Sequence, residues 1–499
     1  MKYVVSIDQS TQGTKALLFD DKGVLLKRSD IPHTQYIDEK GWVEHDTEEI
    51  YANVLQAMKN VLEKADISGK DVVCLGISNQ RETGVVWDRK TGKAVCRAVV
   101  WQCARGEAIC ERIRTAFHSE KTSLSERIQA KTGLRLSPYF TAAKLAWVLE
   151  NIPGVKKRAL TGEICCGTVD SWLLARLTGN FKTDYSNASR TQLFNIVDLS
   201  WDEELCEIFG IPSACLPEVC DSDSFFGMTD MEGLFPQPIP VHGVLGDSHG
   251  SLFGQACREK GMCKSTYGTG SSVMMNIGEY PVFSKNGLVT SLAWRIGRKT
   301  EYVLEGNINY TGAVITWLQH DLGLIHSPGE AGDLALSANL EDTTYLVPSF
   351  TGLGAPYWDS AAKASFVGMT RLTGKAELVR AAEDCIAYQI TDILRAMEND
   401  SGILITELRV DGGPTRDRYL MQFQSDIADK MIRIPNNEEL SGMGAAYAAG
   451  IGLGIYDWES VSGLMTWSEY TSQMKKEKRE QLYAGWKKAL QTVTGSNIM

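Results

Sequence analysis

Two short turns rich in glycine, serine and threonine, roughly half the chain apart, constrain the fold of this sequence more than any other feature. The first lies in residues 4–15 (VVSIDQSTQGTK), and the second lies in residues 265–272 (STYGTGSS). Each turn joins two apolar, strand-like segments and presents backbone N–H groups and hydroxyls to an anion. Their placement, as if by duplication, predicts two half-sites that clamp one polyphosphate.

The size and charge of the chain indicate which kind of protein it is. Its 499 residues predict two or three domains, and 43% hydrophobic with 23% charged residues is typical of a globular protein. The net charge of -11 argues against a nucleic-acid surface, which needs a basic patch. We expect no signal peptide and no membrane span. The twelve cysteines show neither CxxC nor metal-ligand spacing, which predicts reduced thiols and a cytoplasmic protein.

The order of secondary-structure patterns also occurs twice. The first half has strand patterns and then a helical pattern, at residues 2–7, 16–20, 25–28 and 47–63. The second half repeats this order, at residues 262–266, 273–277, 291–294, 301–305, 312–321 and 375–399. We therefore predict an α/β protein with two mixed domains, residues 1–250 and 251–499, and a cleft between them.

Polar side chains follow two predicted strands of the first half. Arg81 and Glu82 follow the strand at 72–78 and offer a donor fork beside an acceptor, which suits neighbouring hydroxyls. A surface ion pair would show the same pattern. Trp101 follows a predicted strand at 95–100 and could cover the CH face of a polyol, or could equally be a core residue.

Two further clusters are defined by glycine. Asp247 lies on a Gly-flanked strand end after the run 239–245, which suits a general base, although an aspartate in an ordinary turn is common. Gly412 and Gly413 follow the predicted strand at 407–410 and would let a flat ligand approach the backbone closely. Each cluster is weak evidence by itself.

Longer stretches carry a family resemblance. They are residues 41–46 (GWVEHD), 78–83 (SNQRET), 100–103 (VWQC), 184–191 (DYSNASRT) and 350–359 (FTGLGAPYWD). With them the chain resembles the FGGY carbohydrate kinases, and within that family the glycerol-phosphorylating branch. Residues 139–147 fit the family's first signature, and residues 364–389 fit the second except at Glu383, where the family has an apolar residue.

The resemblance implies two ribonuclease-H-like domains, as in actin and hexokinase, with ATP between them. It implies transfer of the ATP γ-phosphate to a primary hydroxyl of a small polyol, with Asp247 as the base and Asp8 holding Mg²⁺. The residues implied at the polyol are Arg81, Glu82, Trp101, Tyr139, Asp247, Ser248 and Ser272. The residues implied at the nucleotide are Thr11, Gln12, Gly13, Thr14, Lys15, Thr269, Gly312, Thr316, Gly413 and Asp417.

The chain departs from the glycerol-phosphorylating pattern at the acceptor site. Ser248 stands in place of a glutamine, and Ser272 stands in place of a phenylalanine that closes the apolar side of the pocket. Smaller and more polar residues there make the pocket wider and wetter, so a longer polyol or ketose (a tetritol, pentitol or pentulose) is an alternative substrate. On the nucleotide side, Thr316 replaces a glutamine and Asp417 an asparagine.

Three functional classes stay open at this point: a small-polyol kinase, an actin- or Hsp70-type ATPase that acts on a protein partner, and a sugar-sensing protein with weak catalysis. The cluster of Arg81, Glu82 and Trp101 favours the first over the second. The presence of both Asp8 and Asp247 argues against the third. We expect a small polyol or sugar as ligand, no nucleic-acid partner, and assembly as a homodimer or homotetramer.

Overall fold

The computed structural model describes residues 2–116 and 122–494. Its strands are β1 (Tyr3–Gln9), β2 (Gly13–Phe19), β3 (Leu25–Pro32), β4 (Gln35–Ile37), β5 (Val43–His45), β6 (Val72–Asn79), β7 (Gly84–Asp88), β8 (Ala98–Val99), β9 (Ile164–Thr168), β10 (Lys182–Asp184), β11 (Phe194–Asn195), β12 (Ser200–Trp201), β13 (Glu218–Cys220), β14 (Gly227–Thr229), β15 (Ile239–Gly246), β16 (Cys263–Tyr267), β17 (Ser271–Gly278), β18 (Val289–Ile296), β19 (Lys299–Ile308), β20 (Tyr345–Val347), β21 (Ser365–Val367), β22 (Glu407–Asp411), β23 (Met431–Pro435) and β24 (Trp467–Tyr470).

The α-helices of the described residues are α1 (Thr47–Ala65), α2 (Glu107–Thr115), α3 (Leu124–Thr132), α4 (Thr141–Asn151), α5 (Val155–Leu160), α6 (Val169–Thr178), α7 (Tyr185–Ala188), α8 (Glu203–Phe209), α9 (Asp247–Gly254), α10 (Gly312–His320), α11 (Gly329–Ser337), α12 (Lys375–Ser401), α13 (Arg418–Ala428), α14 (Leu440–Gly452), α15 (Trp458–Ser462) and α16 (Lys476–Thr494).

The two large mixed sheets share the arrangement of their central strands. The first has the order β14-β15-β6-β1-β2-β3, and the second has the order β18-β19-β17-β16-β22-β23-β24. In the first, β1 pairs antiparallel with β2 on one side and parallel with β6 on the other. In the second, β16 pairs antiparallel with β17 and parallel with β22. The duplication predicted from the two hairpins is therefore present in the backbone.

Helix α1 covers one face of the first sheet. It begins after Asp46, whose carboxylate accepts hydrogen bonds from Glu48 N (2.9 Å) and Glu49 N (3.4 Å) and so caps the first turn. Its buried apolar side chains recur at helical spacing and join the core of the first sheet; they are Ile50, Tyr51, Val54, Ala57, Met58, Val61 and Leu62. Packing of α1 against this sheet stabilises the strands β1 and β2, which carry the first turn.

Helix α14 comes from the second half of the chain but packs against β1, β6 and β15 of the first sheet. Glycines make this contact possible: a Cβ on Gly76 of β6 would lie 2.5 Å from the Ala445 carbonyl oxygen, and one on Gly243 of β15 would lie 2.3 Å from Ala449 N. The division at residue 250 stays a prediction. Helix α14 therefore links the two halves, because it belongs to the second half in sequence and packs on the sheet of the first.

A third sheet, with the order β4-β5-β8-β7-β9, carries part of the acceptor side. The sequence predicts a strand over residues 95–100, but the structure has only Ala98–Val99 as β8. The reason is that the two ends of the segment are hydrogen-bonded to different strands. Val95 N donates to Val86 O, whereas Val100 N donates to Val43 O. Trp101 follows this short strand.

Candidate active site

The first turn closes the β1–β2 hairpin. Ser10 N donates to Gly13 O (2.9 Å), and Ser10 Oγ donates to the same oxygen (3.0 Å). A Cβ on Gly13 would lie 2.5 Å from the Ile31 carbonyl oxygen, so only glycine fits. Gln12 at the tip is exposed, and Thr11 is half-buried beside it. The turn thus has the open backbone expected of an anion-binding hairpin.

The second turn closes the β16–β17 hairpin and meets two other segments. Gly268 N donates to Gly270 O (2.8 Å), and Gly312 N at the start of α10 donates to Gly268 O (2.9 Å). A Cβ on Gly412 would lie 2.0 Å from Tyr267 O. Thr269 and Gly413 are exposed at this junction. The structure therefore brings Thr269, Gly312 and Gly413 to one junction, and their contact with a nucleotide stays a prediction.

Two residues that the sequence predicts at the nucleotide make hydrogen bonds within their own helices in this structure. Thr316 is exposed, and its hydroxyl donates to Gly312 O (3.1 Å) in the same helix. Asp417 caps α13 by accepting from Leu420 N (3.0 Å). Burial raises the pKa of Asp417. Their contact with a nucleotide stays a prediction.

Arg81 lies at the centre of the acceptor side. Its Nη1 and Nη2 donate to the two carboxylate oxygens of Glu305 (3.0 and 2.8 Å). Its Nε donates to Asp247 Oδ1 (3.1 Å), and its Nη2 also donates to Ser248 Oγ (3.0 Å). Since Glu305 is on β19 and Arg81 follows β6, this bidentate pair links the two large sheets.

Glu82 and Arg190 extend this network. Glu82 has a left-handed backbone conformation, with φ of 60°. Arg190 Nε donates to Glu82 Oε1, and Arg190 Nη1 lies 2.9 Å from Glu305 Oε2. Two arginines and two glutamates thus form a buried ionic cluster, Arg81, Glu82, Arg190 and Glu305, whose formal charges cancel.

Tyr139 is held in place through its backbone. The ammonium of Lys144 in α4 donates to the carbonyl oxygens of Pro138 (2.7 Å), Tyr139 and Phe140 (3.1 Å). Burial lowers the pKa of Lys144 to about 7. The Tyr139 ring packs edge-on against Trp101, with ring centroids 5.5 Å apart.

Trp101 connects the acceptor side to the first turn. Its indole Nε1 donates to Thr11 Oγ1 (2.9 Å), and its backbone N donates to Thr83 Oγ1 (3.2 Å). The half-buried ring therefore keeps one edge on the hairpin and leaves part of its surface exposed. This orientation suits a face for the CH groups of a polyol.

Asp247 begins α9 and is partly exposed, with 34% of its side chain accessible. Its Oδ1 accepts both from Arg81 Nε and from Ser248 N (2.6 Å). Its Oδ2 has no hydrogen bond from the residues that the structure describes. One carboxylate oxygen is therefore fixed and the other is available, as a general base requires.

Asp8, at the end of β1, is buried and faces the same region. Its Oδ1 has no hydrogen-bond partner within the described residues. Burial raises the pKa of Asp8 to about 6; Asp247 adds to the rise and Lys15 opposes it. Lys15 itself donates to Glu439 Oε2 (2.8 Å), a carboxylate that also pairs with Arg28. Lys15 is thus bound to Glu439 in this structure.

The sequence reasoning did not find three charged residues of this region. Glu305 and Arg190 belong to the ionic cluster, and Lys264 on β16 is fully buried, with its ammonium donating to Thr266 Oγ1 (2.9 Å). Burial lowers the pKa of Lys264. For Lys264 and Glu305, the signal that could have revealed them is a charged residue within a predicted core strand, and Arg190 lies in the family-like stretch 184–191.

Comparison with known proteins agrees with this geometry. The N-terminal domain model of the FGGY family of carbohydrate kinases matches residues 3–254, and the C-terminal domain model matches residues 263–453. The chain belongs to this family. It therefore has the two-domain α/β FGGY kinase fold and is an enzyme, a phosphotransferase with an alcohol acceptor and ATP as phosphoryl donor. This decides against the protein-partner ATPase and the sensor.

Individual relatives cover nearly the whole chain. Glycerol kinase 1 of Thermotoga maritima is 49% identical over 492 residues, which is 98% of this chain and 99% of that protein. Glycerol kinase of Oceanobacillus iheyensis is 44% identical over 494 residues, 98% of each. The crystal structure of Plasmodium falciparum glycerol kinase with ADP matches with a TM-score of 0.93 at 35% identity, covering 100% of this chain and 99% of that chain. This FGGY kinase is therefore glycerol kinase-like.

Fold similarity extends further than sequence similarity. A ligand-bound xylulose kinase from Lactobacillus acidophilus matches with a TM-score of 0.86 at 21% identity, covering 99% of each chain, which shows a shared fold alone. Within residues 2–116 and 122–494, no helix combines the length and apolar character needed to cross a bilayer.

Proposed function

We propose that this FGGY kinase transfers the γ-phosphoryl group of ATP to a primary hydroxyl of glycerol or a closely related polyol. The observation that carries the proposal is Asp247, which presents one free carboxylate oxygen beside Arg81, in the region bounded by the two hairpins. Relatives that are 42–49% identical to this chain are glycerol kinases, which supports the same substrate class.

The polyol would lie against Arg81, Trp101 and Tyr139. Four of the five N–H groups of the Arg81 guanidinium have partners among the residues that the structure describes, which leaves the fifth for a substrate hydroxyl. The Trp101 ring would cover the carbon skeleton. Because Lys144 and Thr11 hold the two aromatic residues from behind, the pocket is formed before substrate binds.

The ATP phosphates would lie between the first and second hairpins. The chemistry of Asp8 fits Mg²⁺, since its buried Oδ1 has no partner among the described residues and a hard cation prefers carboxylate oxygen. No group of three or more His, Cys, Asp or Glu side chains in the described residues could hold a metal alone, which fits an ion held largely by phosphate. Bound there, Mg²⁺ would neutralise phosphate charge.

The transfer step places one proton and one phosphoryl group. Asp247 Oδ2 accepts the proton of the primary hydroxyl as the hydroxyl oxygen forms its bond to the γ-phosphorus. The bond between that phosphorus and the β,γ-bridging oxygen breaks, and ADP leaves with the electron pair. Arg81 keeps Asp247 Oδ1 fixed during the transfer, so the free oxygen stays aimed at the substrate.

We also propose that the protein works in a reducing compartment, the cytoplasm. All twelve of its cysteines are free thiols, and ten of them are buried. A chain that is exposed to an oxidising compartment usually pairs its cysteines. The dimer or tetramer expected from the sequence stays a prediction.

Asp247→Asn tests the proposal. The asparagine oxygen can still accept from Arg81 and Ser248 N, so nucleotide and glycerol should bind, whereas kcat should fall by about 10²–10⁴-fold because the base is lost. Calorimetric binding and a coupled ADP-release assay measure the two effects. Asp223→Asn, a half-buried aspartate that accepts from Gly297 N outside this site, is the control. More than about a tenth of wild-type kcat in Asp247→Asn would remove Asp247 as the base.

A further inference from the structure

Two serine hydroxyls lie at the two ends of a short hydrogen-bond chain through Arg81 and Glu305. Ser272 Oγ donates to Glu305 Oε1 (2.9 Å), and the same oxygen accepts from Arg81 Nη2 (2.8 Å). Arg81 Nη2 also donates to Ser248 Oγ (3.0 Å). Ser248 and Ser272 are both partly exposed, whereas Arg81 and Glu305 are buried. The chain therefore ends in two hydroxyls that a bound molecule can reach.

The two hydroxyls have opposite hydrogen-bonding capacity left over. A carboxylate only accepts, so Ser272 uses its proton on Glu305 and keeps its lone pairs. A guanidinium only donates, so Ser248 accepts from Arg81 and keeps its proton. Within the described residues, the Ser248 proton has no acceptor and the Ser272 oxygen has no donor. One free donor and one free acceptor match a hydroxyl group, which both accepts and donates.

The candidate base and the two serines are all hydrogen-bonded to the Arg81–Glu305 ion pair. Arg81 holds Asp247 Oδ1 through Nε and Ser248 Oγ through Nη2, so these two acceptors lie side by side along one edge of the guanidinium. Ser272 Oγ is connected to the same guanidinium through Glu305 Oε1, which accepts from both Ser272 Oγ and Arg81 Nη2. A substrate whose reacting hydroxyl is on Asp247 would therefore extend its remaining carbons toward the serines.

We propose that Ser248 and Ser272 form a hydroxyl subsite that selects a polyol of four or five carbons over glycerol. The inference rests on the proposed function, because it concerns the acceptor of the same reaction. A carbonyl can use only the Ser248 proton, so a hydroxyl at this position is preferred over the keto group of a ketose. A site that hydrogen-bonds an additional substrate hydroxyl discriminates against the analogue that lacks it.

The test compares kcat/KM for glycerol, a tetritol, a pentitol and a pentulose by coupled ADP release. We expect kcat/KM for at least one tetritol or pentitol to exceed kcat/KM for glycerol with the wild-type enzyme. In Ser248→Ala and in Ser272→Ala, the ratio of kcat/KM for that polyol to kcat/KM for glycerol should fall about 2–12-fold, the value of one hydrogen bond. Ser272→Phe, which fills the subsite, should lower the ratio further.

Ser291→Ala is the matched control, since Ser291 is fully buried on β18, its hydroxyl has no partner within the described residues, and it lies outside the Arg81 network. In Ser291→Ala, the ratio of kcat/KM for the longer polyol to kcat/KM for glycerol should equal that of the wild type. Glycerol turned over far better than every longer polyol, or a ratio unchanged in both alanine variants, would overturn the subsite and leave the proposed kinase intact. Failure to phosphorylate any of the four, with ATP binding retained, would overturn the proposed function and the subsite together.

Discussion

Glu305→Gln should damage both the stability and the activity of this kinase. Glu305 is fully buried and lies between two guanidinium groups, Arg81 and Arg190, which hold its pKa well below the usual range against the effect of burial. The amide has nearly the same shape but no charge. It therefore leaves the buried cluster with an uncompensated positive charge.

Removing one partner of a buried ion pair costs about 3–5 kcal/mol. For a domain of about 250 residues this corresponds to a fall in Tm of roughly 6–20 °C. Arg81 would also lose its bidentate partner and with it a fixed position against Asp247. A misplacement of about 1 Å can reduce turnover up to about 100-fold, so we expect kcat/KM to fall by roughly 10–100-fold.

Thermal unfolding and steady-state kinetics measure the two effects. Glu301→Gln is the control: Glu301 lies on the same strand β19 and is also buried, but its oxygens bind Asn276 Nδ2 (2.7 Å) and the exposed Lys299 (3.2 Å). Removing the Glu301 charge should lower the free energy of unfolding by less than Glu305→Gln does. It should also leave kcat/KM within about threefold of wild type, because Glu301 lies outside the Arg81 network. If Glu305→Gln melted within 2 °C of the wild type (less than about 1 kcal/mol) and kept its kcat/KM, the cluster would not organise the site.

Two further substitutions test buried carboxyl groups. Asp8→Asn should melt higher than the wild type at pH 7.5 while turnover falls: the folded-state pKa of Asp8 is raised from 3.8 to about 6, so its carboxylate costs stability as the pH rises through that window, about 3 kcal/mol at most. Near pH 4 the difference should nearly vanish, and equal melting at both pH values would contradict this. Glu383→Leu should stabilise by about 1–3 kcal/mol, since the buried Glu383 Oε2 has no partner among the described residues; a lower Tm would refute it.

Most of the fold could be predicted from local patterns. The two hairpins, the long helix α12 and the buried, glycine-rich α14 follow from periodicity and composition over adjacent residues. The short β8 is the exception, because residues 95–100 have a continuous strand pattern but pair with different neighbours at their two ends. No local pattern shows which sheet α14 covers, because that depends on glycines far away in the sequence, such as Gly76 on β6 and Gly243 on β15.

In the candidate site too, single positions follow from local patterns, whereas contacts between distant residues do not. Asp8, Arg81, Glu82, Trp101 and Asp247 each lie at the end of a strand pattern, where α/β sheets place their ligands, so their positions could be inferred from the sequence. The structure brings Arg81 and Asp247 into hydrogen-bond contact across 166 residues of chain.

The sequence by itself determined the duplicated α/β architecture, because the same order of local patterns occurs twice. It also located the two turns and Asp247 as a candidate base, because each lies within a few consecutive residues of a recognisable pattern. Only the tertiary structure showed that Glu305 holds Arg81 from 224 residues away, that Lys15 is bound to Glu439, and that two serines keep complementary hydrogen-bonding capacity. The physical reason is that a hydrogen bond depends on the distance and direction between two groups in space, and no local pattern records which distant partner a buried charge will meet.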